Sequence, residues 1–274
     1  MRRTVAALTV ALLAFASTQS VAAAGPPYPD SMAATGDSIT RAFNSSIVPW
    51  IDAPWNSWST GESGFVRSHY RRILAANPLI LGRNFNDARS GAKMAELSRQ
   101  MFLVNLEHVD YVTILMGAND ACASSEDAMT PVAEFRAQFH AALDTFVTGS
   151  PQARALVVSI PNVYRLWRIL HDDPDARAAW RLTGFCKSML AHPGSTAPED
   201  MARRSRVRQR IVDYNSVLAD VCALHVRCRF DGNAVFEYPF ERKDVSTHDY
   251  FHPSREGQRV LAQVTWTAGY PFGT

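Results

Sequence analysis

YVTILMGAND, at residues 111–120, carries the strongest fold signal in this chain. Its first six residues form a nearly continuous apolar run, without the alternation of apolar and polar residues that a half-buried strand shows. Such a run predicts a strand that is buried on both faces, as in a parallel sheet with helices on each side. Gly117 and the polar residues after it end this strand.

Strands and helices are predicted to alternate on both sides of this run. Short apolar segments predict strands at residues 31–35, 79–84, 111–116, 154–160 and 226–230. Helical periodicity predicts helices at residues 64–76, 93–108, 132–147, 201–224 and 253–266. Residues 41–63 resemble a loop, and we interpret the irregular residues 162–200 as a long insertion near the site. The alternation predicts βαβ units in a doubly wound parallel sheet, whose ligands bind beyond the carboxyl ends of the strands.

Length and composition favour one α/β domain. The chain has 274 residues, of which 47% are apolar and 20% are charged, so it can bury a full core but is short for two ordinary domains. It contains no long low-complexity tract that would indicate disorder. We place the single domain at residues 25–274.

The first 24 residues have the pattern of a signal peptide. Arg2 and Arg3 precede an apolar run at residues 5–16, and small residues follow up to Ala24. The run is shorter than the ~20 residues that a membrane-spanning helix needs, and no second long apolar stretch follows it. We therefore expect a secreted protein that is cleaved near Ala24 and has no stable membrane insertion.

Charge argues against a nucleic-acid partner. The 28 basic and 26 acidic residues give a formal charge of +2, and loss of the two leader arginines would bring it to zero. A nearly neutral chain has no net field that would attract nucleic acid. Five arginines cluster in one predicted helix, and we interpret them as its solvated face: Arg203, Arg204, Arg206, Arg208 and Arg210.

Four cysteines fit two disulfides in an exported protein. Their number alone allows three pairings. The short separation favours Cys222 with Cys228, which leaves Cys122 with Cys186. A zinc site is the alternative, but the chain has no CxxC pair and an exported protein folds in an oxidising compartment.

A serine, an aspartate and a histidine lie where a nucleophilic triad would form. Ser38 lies in GDSIT, residues 36–40, after the first predicted strand, and Asp249 and His252 lie together in DYFHP, residues 249–253. A hydroxyl becomes a nucleophile when a base takes its proton and a third group orients that base. One tight turn can supply both the base and its carboxylate. GDS alone is ordinary turn chemistry, and the chain has no GxSxG pentapeptide, so only the combination of the three indicates catalysis.

Donors for a developing oxyanion follow three successive predicted strands. The backbone N–H groups of Ser38 and Gly91 and the side-chain amide of Asn119 would converge at one edge of the sheet. Each of the last two also has a structural interpretation, Gly91 as a turn glycine and Asn119 as a loop cap.

A metal site is an alternative use of the histidines. His248 and His252 form an HxxxH pair. Metalloprotease spacing requires both histidines on one helix with a glutamate between them, whereas Pro253 predicts that the helix begins only after this pair. We therefore disfavour zinc at this pair.

Four blocks of the sequence resemble, in order, those of the SGNH hydrolases, also called GDSL lipases and esterases. The blocks are GDSIT at residues 36–40, NFNDARSGA at residues 84–92, GAND at residues 117–120 and DYFHP at residues 249–253. They span nearly the whole predicted mature chain, and the one departure is isoleucine in place of the family's usual leucine after the serine. The chain is most similar to secreted actinobacterial members.

The resemblance implies a three-layer α/β/α, flavodoxin-like fold and hydrolysis of carboxylic esters without a cofactor. It implies that Ser38 is the nucleophile, that Gly91 and Asn119 donate to the oxyanion, that His252 is the base and that Asp249 orients it. A small-molecule or lipid ester would be the partner, and we expect a monomer.

The ester itself is left open, because one fold can host many substrates. A carbohydrate O-acetyl esterase is the alternative to a lipase or esterase, and a secreted binding protein without activity is a more distant one. Five tryptophans in loop-like segments would either line an acyl or sugar groove or pack beneath the loops: Trp50, Trp55, Trp58, Trp167 and Trp180.

Overall fold

The computed structural model describes residues 25–273. The predicted signal peptide, residues 1–24, lies outside the described residues. Within the described part, five parallel strands form one sheet in the order β2-β1-β3-β4-β5. The strands are β1 (Met32–Gly36), β2 (Asn84–Asn86), β3 (Tyr111–Leu115), β4 (Arg154–Val157) and β5 (Cys228–Phe230). The structure therefore confirms the doubly wound parallel sheet.

The central pair of strands is the most deeply buried part of the sheet. Every residue of β1 and β3 is buried, and the two strands pair from Met32 opposite Tyr111 to Gly36 opposite Leu115. Helices on both faces exclude water from these strands, which is why the run at residues 111–116 has no polar alternation.

Helices cover the two faces of the sheet and complete a three-layer α/β/α arrangement. The helices are α1 (His69–Ala76), α2 (Leu97–Glu107), α3 (Ala118–Ala121), α4 (Val132–Gly149), α5 (Val163–Leu170), α6 (Pro174–Thr183), α7 (Lys187–Leu190), α8 (Pro198–Cys222), α9 (Ala234–Glu237) and α10 (Arg255–Ala268). Helices α2, α4 and α8 pack side by side on one face. Helices α1 and α10 lie on the other face, where their side chains meet.

The strand predicted at residues 79–84 is wrong. A 3₁₀ turn occupies Pro78–Ile80, and the strand begins only at Asn84. Proline cannot donate to a strand ladder, and the side chain of Asn77 accepts a hydrogen bond from the Leu79 backbone, so a turn forms instead. Leu79 is consequently 68% exposed, although its apolar character suggested a buried strand.

The segment predicted to be irregular, residues 162–200, contains helices α5, α6 and α7. The side chains of Asn162 and Asp173 cap the first two of these helices by accepting backbone hydrogen bonds. Each helix is short, so the apolar period does not repeat often enough to stand out in the sequence.

The solvated arginine face predicted for α8 is wrong at Arg204, which has no solvent exposure. Its guanidinium lies 4.2 Å from the centroid of the Trp167 ring and donates hydrogen bonds to backbone carbonyls, including those of Ser195 and His192. Burial, and then the neighbouring Arg203, lower the pKa of this guanidinium. Arg204 therefore joins α8 to the segment before it.

Two disulfides are present, Cys122–Cys186 and Cys222–Cys228, which is the pairing that the short spacing favoured. The first links the loop after β3 to the start of α7, and the second joins the end of α8 to β5. Among the described residues, no helix combines the length and the apolar character needed to span a membrane.

A buried histidine bridges β3 and α10 between the layers. The Nε2 atom of His69 lies 2.8 Å from the Thr265 hydroxyl, and Nδ1 lies 3.0 Å from the Tyr111 hydroxyl. Thr265 donates its own proton to the Leu261 carbonyl, so it accepts from Nε2–H and the Tyr111 hydroxyl donates to Nδ1. Burial, and then Arg72, lower the pKa of His69 to about 3.

This histidine makes folding stability depend on pH. His69 stays neutral in the fold, whereas in the unfolded chain it takes up a proton below its ordinary pKa of 6.5. The contribution of His69 to the free energy of unfolding is therefore fully present above pH 6.5, and acidification removes it by at most about 1.4 kcal/mol per pH unit until the folded pKa is approached. Denaturant titrations at pH 7 and pH 4.5 should show that His69→Gln loses less stability on acidification than the wild type. Equal losses in both proteins would contradict this account.

Candidate active site

The topology of the sheet places the candidate residues together. The chain leaves β1 for β2 on one side and then returns to β3 on the other, so the order of strands reverses between β1 and β3. A crevice opens at the carboxyl ends of strands at such a point. Ser38 follows β1 and Asn119 follows β3 at this edge.

His252 connects the serine to the aspartate. Its Nε2 atom lies 2.8 Å from the Oγ of Ser38, and its Nδ1 atom lies 2.6 Å from the Oδ2 of Asp249. In the neutral imidazole Nδ1–H donates to the carboxylate, and Nε2 accepts the hydroxyl proton of the serine. Ser38 and His252 are 8% and 6% exposed, so the hydroxyl and the imidazole are nearly shielded from water.

The turn that carries the histidine is organised by its own aspartate. The Oδ1 atom of Asp249 accepts hydrogen bonds from the backbone N–H groups of Phe251 and His252. Tyr250 takes a left-handed conformation with φ of 55°, which tightens the turn. The predicted turn before the last helix is therefore present, although α10 begins at Arg255, after a cap by Ser254, rather than at residue 253.

Asp249 is held as a carboxylate. Burial alone would raise its pKa, but the hydrogen bond and charge of His252 and the two backbone donors outweigh burial and lower the pKa below its ordinary value. A further donor is the Nδ2 of Asn44, 2.6 Å from Oδ2. The buried carboxylate is thus fully surrounded by donors and can orient the imidazole and stabilise its charged form.

Asp37, next to the serine, behaves in the opposite way. It is fully buried, and burial raises its pKa to about 7, against the lowering effect of the Ile39 backbone N–H. Its Oδ1 accepts that hydrogen bond, while Oδ2 has no partner within residues 25–273. The two carboxyl groups near His252 therefore differ in charge at mildly acidic pH, and Asp249 is the ionised one.

Two buried glutamines fix the backbone on each side of Ser38. Gln100 accepts from the N–H of Gly36 and donates to its carbonyl, with distances of 2.7 and 2.9 Å. Gln258 donates to the carbonyl of Ile39 at 2.8 Å. Gly36 has φ of 142°, and a Cβ there would lie 2.2 Å from the Leu115 carbonyl oxygen, so only glycine fits where the chain turns towards the serine.

The three residues predicted to donate to the oxyanion, Ser38, Gly91 and Asn119, line one cleft. Asn119 donates one amide hydrogen to the Ala92 carbonyl at 3.0 Å, which fixes the amide orientation and leaves its second hydrogen available. Gly91 has φ of 82°, a left-handed conformation that favours glycine. Within residues 25–273, no acceptor takes the backbone N–H of Ser38 or Gly91, so both can serve an incoming oxygen.

Two cavities meet at Ser38 and His252. One has a volume of about 90 Å³ and is lined mainly by apolar side chains, among them Val163, Leu166 and Ile169 of α5. The other has a volume of about 400 Å³ and a mixed lining, in which Ser90, Gly91 and Lys187 stand beside the rings of Phe43, Phe185 and Phe251. Ser38 therefore lies between a narrow apolar space and a wider space of mixed lining.

Aromatic rings surround the imidazole. The ring centroids of Phe43, Phe185 and Phe251 lie 4.9, 5.7 and 5.1 Å from that of His252. These rings limit the access of water to the imidazole. Of the tryptophans considered above, none lines either cavity. Trp58, Trp167 and Trp180 are buried in the core, and Trp50 and Trp55 are about half exposed.

The structure separates the two histidines of the HxxxH pair. His248 places Nε2 2.9 Å from the carbonyl oxygen of Ser46, whereas His252 is engaged by Ser38 and Asp249. Within the described residues, no group of three or more His, Cys, Asp and Glu side chains is arranged to hold a metal ion.

Sequence reasoning missed the supporting residues of the site: Asn44, Gln100 and Gln258. Asn44 is 205 positions from Asp249 and lies in a segment without periodicity. The two glutamines lie within predicted helices, where glutamine is ordinary. The sequence offers one signal for Gln258 and none for Gln100: Gln258 lies on the first turn of the helix that follows the DYFHP block.

Comparisons with known proteins agree with this architecture. The family model described as "GDSL-like Lipase/Acylhydrolase family" matches residues 34–260. No curated protein matches the chain. Among solved structures, an extracellular lipase from Streptomyces rimosus is 19% identical, with a TM-score of 0.52 over 87% of this chain and 99% of that one. LAE5, an α/β hydrolase from the metagenome of Lake Arreo in Spain, is 16% identical, with a TM-score of 0.54 over 89% and 95% of the two chains. At these identities the two structures establish the fold alone.

The geometry predicts that Ser38 is selectively reactive. A fluorophosphonate probe should label Ser38, because His252 can take its proton, but not Ser90 or Ser124, which line the same cleft. Replacing His252 by glutamine should slow labelling on the order of 10²- to 10⁴-fold, whereas His248→Gln should leave the rate unchanged. Peptide mapping by mass spectrometry identifies the site. Labelling of Ser90 or Ser124, or equal rates for the two histidine variants, would contradict the assignment.

Proposed function

The chain belongs to the GDSL-like lipase/acylhydrolase family, and on that premise we propose that it is a secreted serine esterase that hydrolyses carboxylic esters. The observation that carries the proposal is the position of His252, which is hydrogen-bonded to both the Ser38 hydroxyl and the Asp249 carboxylate. Family members act on small ester molecules, so an ester bond is the reacting group. Two disulfides support export, since such bonds persist in oxidising compartments.

In the first half of the reaction, the Oγ of Ser38 attacks the ester carbonyl carbon while the Nε2 of His252 takes the hydroxyl proton. A tetrahedral intermediate forms, and its negative charge rests on the former carbonyl oxygen. Asp249 stabilises the imidazolium without taking its proton. The intermediate then collapses, the ester C–O bond breaks, and His252 gives its proton to the departing alkoxide, leaving an acyl group on Ser38.

The oxyanion is stabilised by the backbone N–H groups of Ser38 and Gly91 and by the free amide hydrogen of Asn119. These donors are held in place before the substrate arrives, so little reorganisation is needed. The Cys122–Cys186 disulfide lies just after α3 and helps to fix the segment that carries Asn119.

The second half of the reaction restores the enzyme. Water replaces the alcohol beside His252 and loses a proton to Nε2 as it attacks the acyl carbon. The second tetrahedral intermediate uses the same donors and expels Ser38, which regains its proton from the imidazolium. Each cycle therefore consumes one ester and one water and releases one acid and one alcohol. No step requires a metal or an organic cofactor.

The apolar cavity supports an acyl group longer than acetyl. Val163, Leu166 and Ile169 of α5 can bury methylenes there. Arg165 also lines this cavity, but its guanidinium already donates to the carbonyls of Phe240 and Pro239. An acetyl group would leave most of this surface unused. The wider cleft then receives the alcohol. Its polar groups, including those of Ser90 and Lys187, are compatible with several alcohols. A carbohydrate O-acetyl esterase is the second candidate, since that cleft is wide enough for a hydroxylated alcohol.

A ladder of aryl esters from acetyl to decanoyl tests the proposal. The value of kcat/KM should rise over the first few methylenes, by roughly fourfold at most for each one buried, and fall once the chain exceeds the cavity. Ser38→Ala is the control, and it should lose activity at every length while keeping the thermal midpoint of the wild type.

A maximum at acetyl, together with release of acetate from acetylated xylan, would instead select the O-acetyl esterase. A Ser38→Ala variant that retained a tenth of the activity, or activity that EDTA removed and zinc restored, would contradict the serine mechanism itself.

A further inference from the structure

Five consecutive apolar residues, Ile-Val-Pro-Trp-Ile at residues 47–51, are exposed beside the site. Ile47 is 95% exposed, Val48 50%, Trp50 51% and Ile51 36%. Single exposed apolar side chains are common, but a continuous exposed run of this length is unfavourable in water. Such runs mark surfaces that bind another molecule. No charged residue interrupts the run.

This loop is built to hold its side chains outward. The backbone N–H of Asn44 donates to the carbonyl of Ile51, and the N–H of Trp50 donates to the Oδ1 of Asn44, which closes the loop. The Ser246 hydroxyl donates to the carbonyl of Asn44, and His248 binds the carbonyl of Ser46. The base of the loop is therefore fixed by the same segment that carries Asp249 and His252.

The loop lies at the active-site edge of the sheet. It follows β1 by a few residues, and Asn44 at its base donates to Asp249. Other exposed apolar residues, such as Leu79 and Val226, precede β2 and β5 and so lie at the opposite edge. A surface that accepts the loop would therefore face the cavities that meet at Ser38.

Basic groups flank the base of the loop. A cleft of about 270 Å³ is lined by Ser45 and Ser46 of the loop and by Arg242, Lys243 and Arg255. Arg242 and Lys243 form exposed ion pairs with acidic partners, whereas Arg255 forms none among the described residues. The guanidinium of Arg255 lies 4.4 Å from the centroid of the Phe65 ring and has no acidic partner among the described residues, so its charge would be able to meet phosphate groups at the level of a lipid headgroup.

We propose that residues 47–51 form an anchor that inserts into the surface of a phospholipid aggregate. Aliphatic side chains at the tip would enter the acyl region, Trp50 would lie at the headgroup boundary, as tryptophan does at membrane interfaces, and Arg255 would meet a phosphate. The apolar run has few polar groups with which to bind a polysaccharide. The inference deepens the proposed function, on which it rests, by assigning substrates presented at a lipid surface.

Vesicle binding tests the anchor directly. The protein is made as Ser38→Ala so that no lipid is consumed, and cosedimentation with phosphatidylcholine vesicles is measured. Combining Ile47→Ser, Val48→Ser and Trp50→Asn should weaken binding at least tenfold; asparagine suits the left-handed φ of 65° at position 50. The control variant, Leu79→Ser with Val226→Ser, removes equally exposed apolar side chains and should bind as the parent does.

Failure of the parent to bind vesicles, or equal binding by the anchor variant and the parent, would overturn the inference. Loss in the anchor variant of binding to acetylated xylan, with no vesicle binding by the parent, would assign the loop to polysaccharide instead and also overturn it. With Ser38 intact, the anchor variant should hydrolyse a soluble short-chain aryl ester at a rate within twofold of that of the wild type. A wild type without activity on that ester sinks the proposed function, whereas the vesicle result decides the anchor by itself.

Discussion

The hydrogen bond between His252 and the buried carboxylate of Asp249 depends on the other donors that surround this carboxylate. Asp249 is completely buried, and it accepts from the imidazole, from two backbone N–H groups of its own turn and from Asn44. An ionised carboxylate without these partners would be costly to bury and would take up a proton instead. Much of the surrounding structure serves this one charge: the turn is shaped by it, and the loop after β1 is drawn to it through Asn44. The orientation of His252 towards the hydroxyl of Ser38 follows from the same set of contacts.

Buried titratable groups elsewhere are handled in a different way. Asp37 and His69 have too few or only neutral partners, and burial shifts the pKa of each towards its uncharged form, to about 7 and about 3. Asp37 lies next to the nucleophile and Asp249 lies beneath the base, yet only Asp249 is surrounded by donors to its charged form. The number of hydrogen-bond donors, more than burial, therefore separates Asp249, which is held ionised beside His252, from Asp37, whose carboxyl accepts only the N–H of Ile39.

The sheet and the five candidate site residues could be predicted, because both have local signals. A strand buried on two faces has a continuous apolar run, and the residues after strands β1 and β3 lie in the short blocks GDSIT and GAND. Asp249 and His252 lie in a third block, DYFHP, in the turn before the last helix. The residues that support the site have no local signal, since Asn44 and Gln100 act on groups that are 205 and 64 positions away.

The two wrong structural predictions have the same cause, namely contacts that no local pattern of apolar residues shows. Arg204 looked solvated because its partner Trp167 is distant in sequence, and Leu79 looked like part of a strand because the turn capped by Asn77 is decided by polar groups.

If Ser38 is the nucleophile, the ester is cleaved through an acyl group that Ser38 carries. This acyl group can be detected by mass spectrometry of the wild-type protein, quenched in acid during the first turnovers of a butyryl aryl ester. We expect a protein heavier by one butyryl group, with the added mass on the peptide that contains Ser38 and a burst of the released phenol of matching size. An adduct on another residue, or steady hydrolysis with neither adduct nor burst at any quench time, would contradict it.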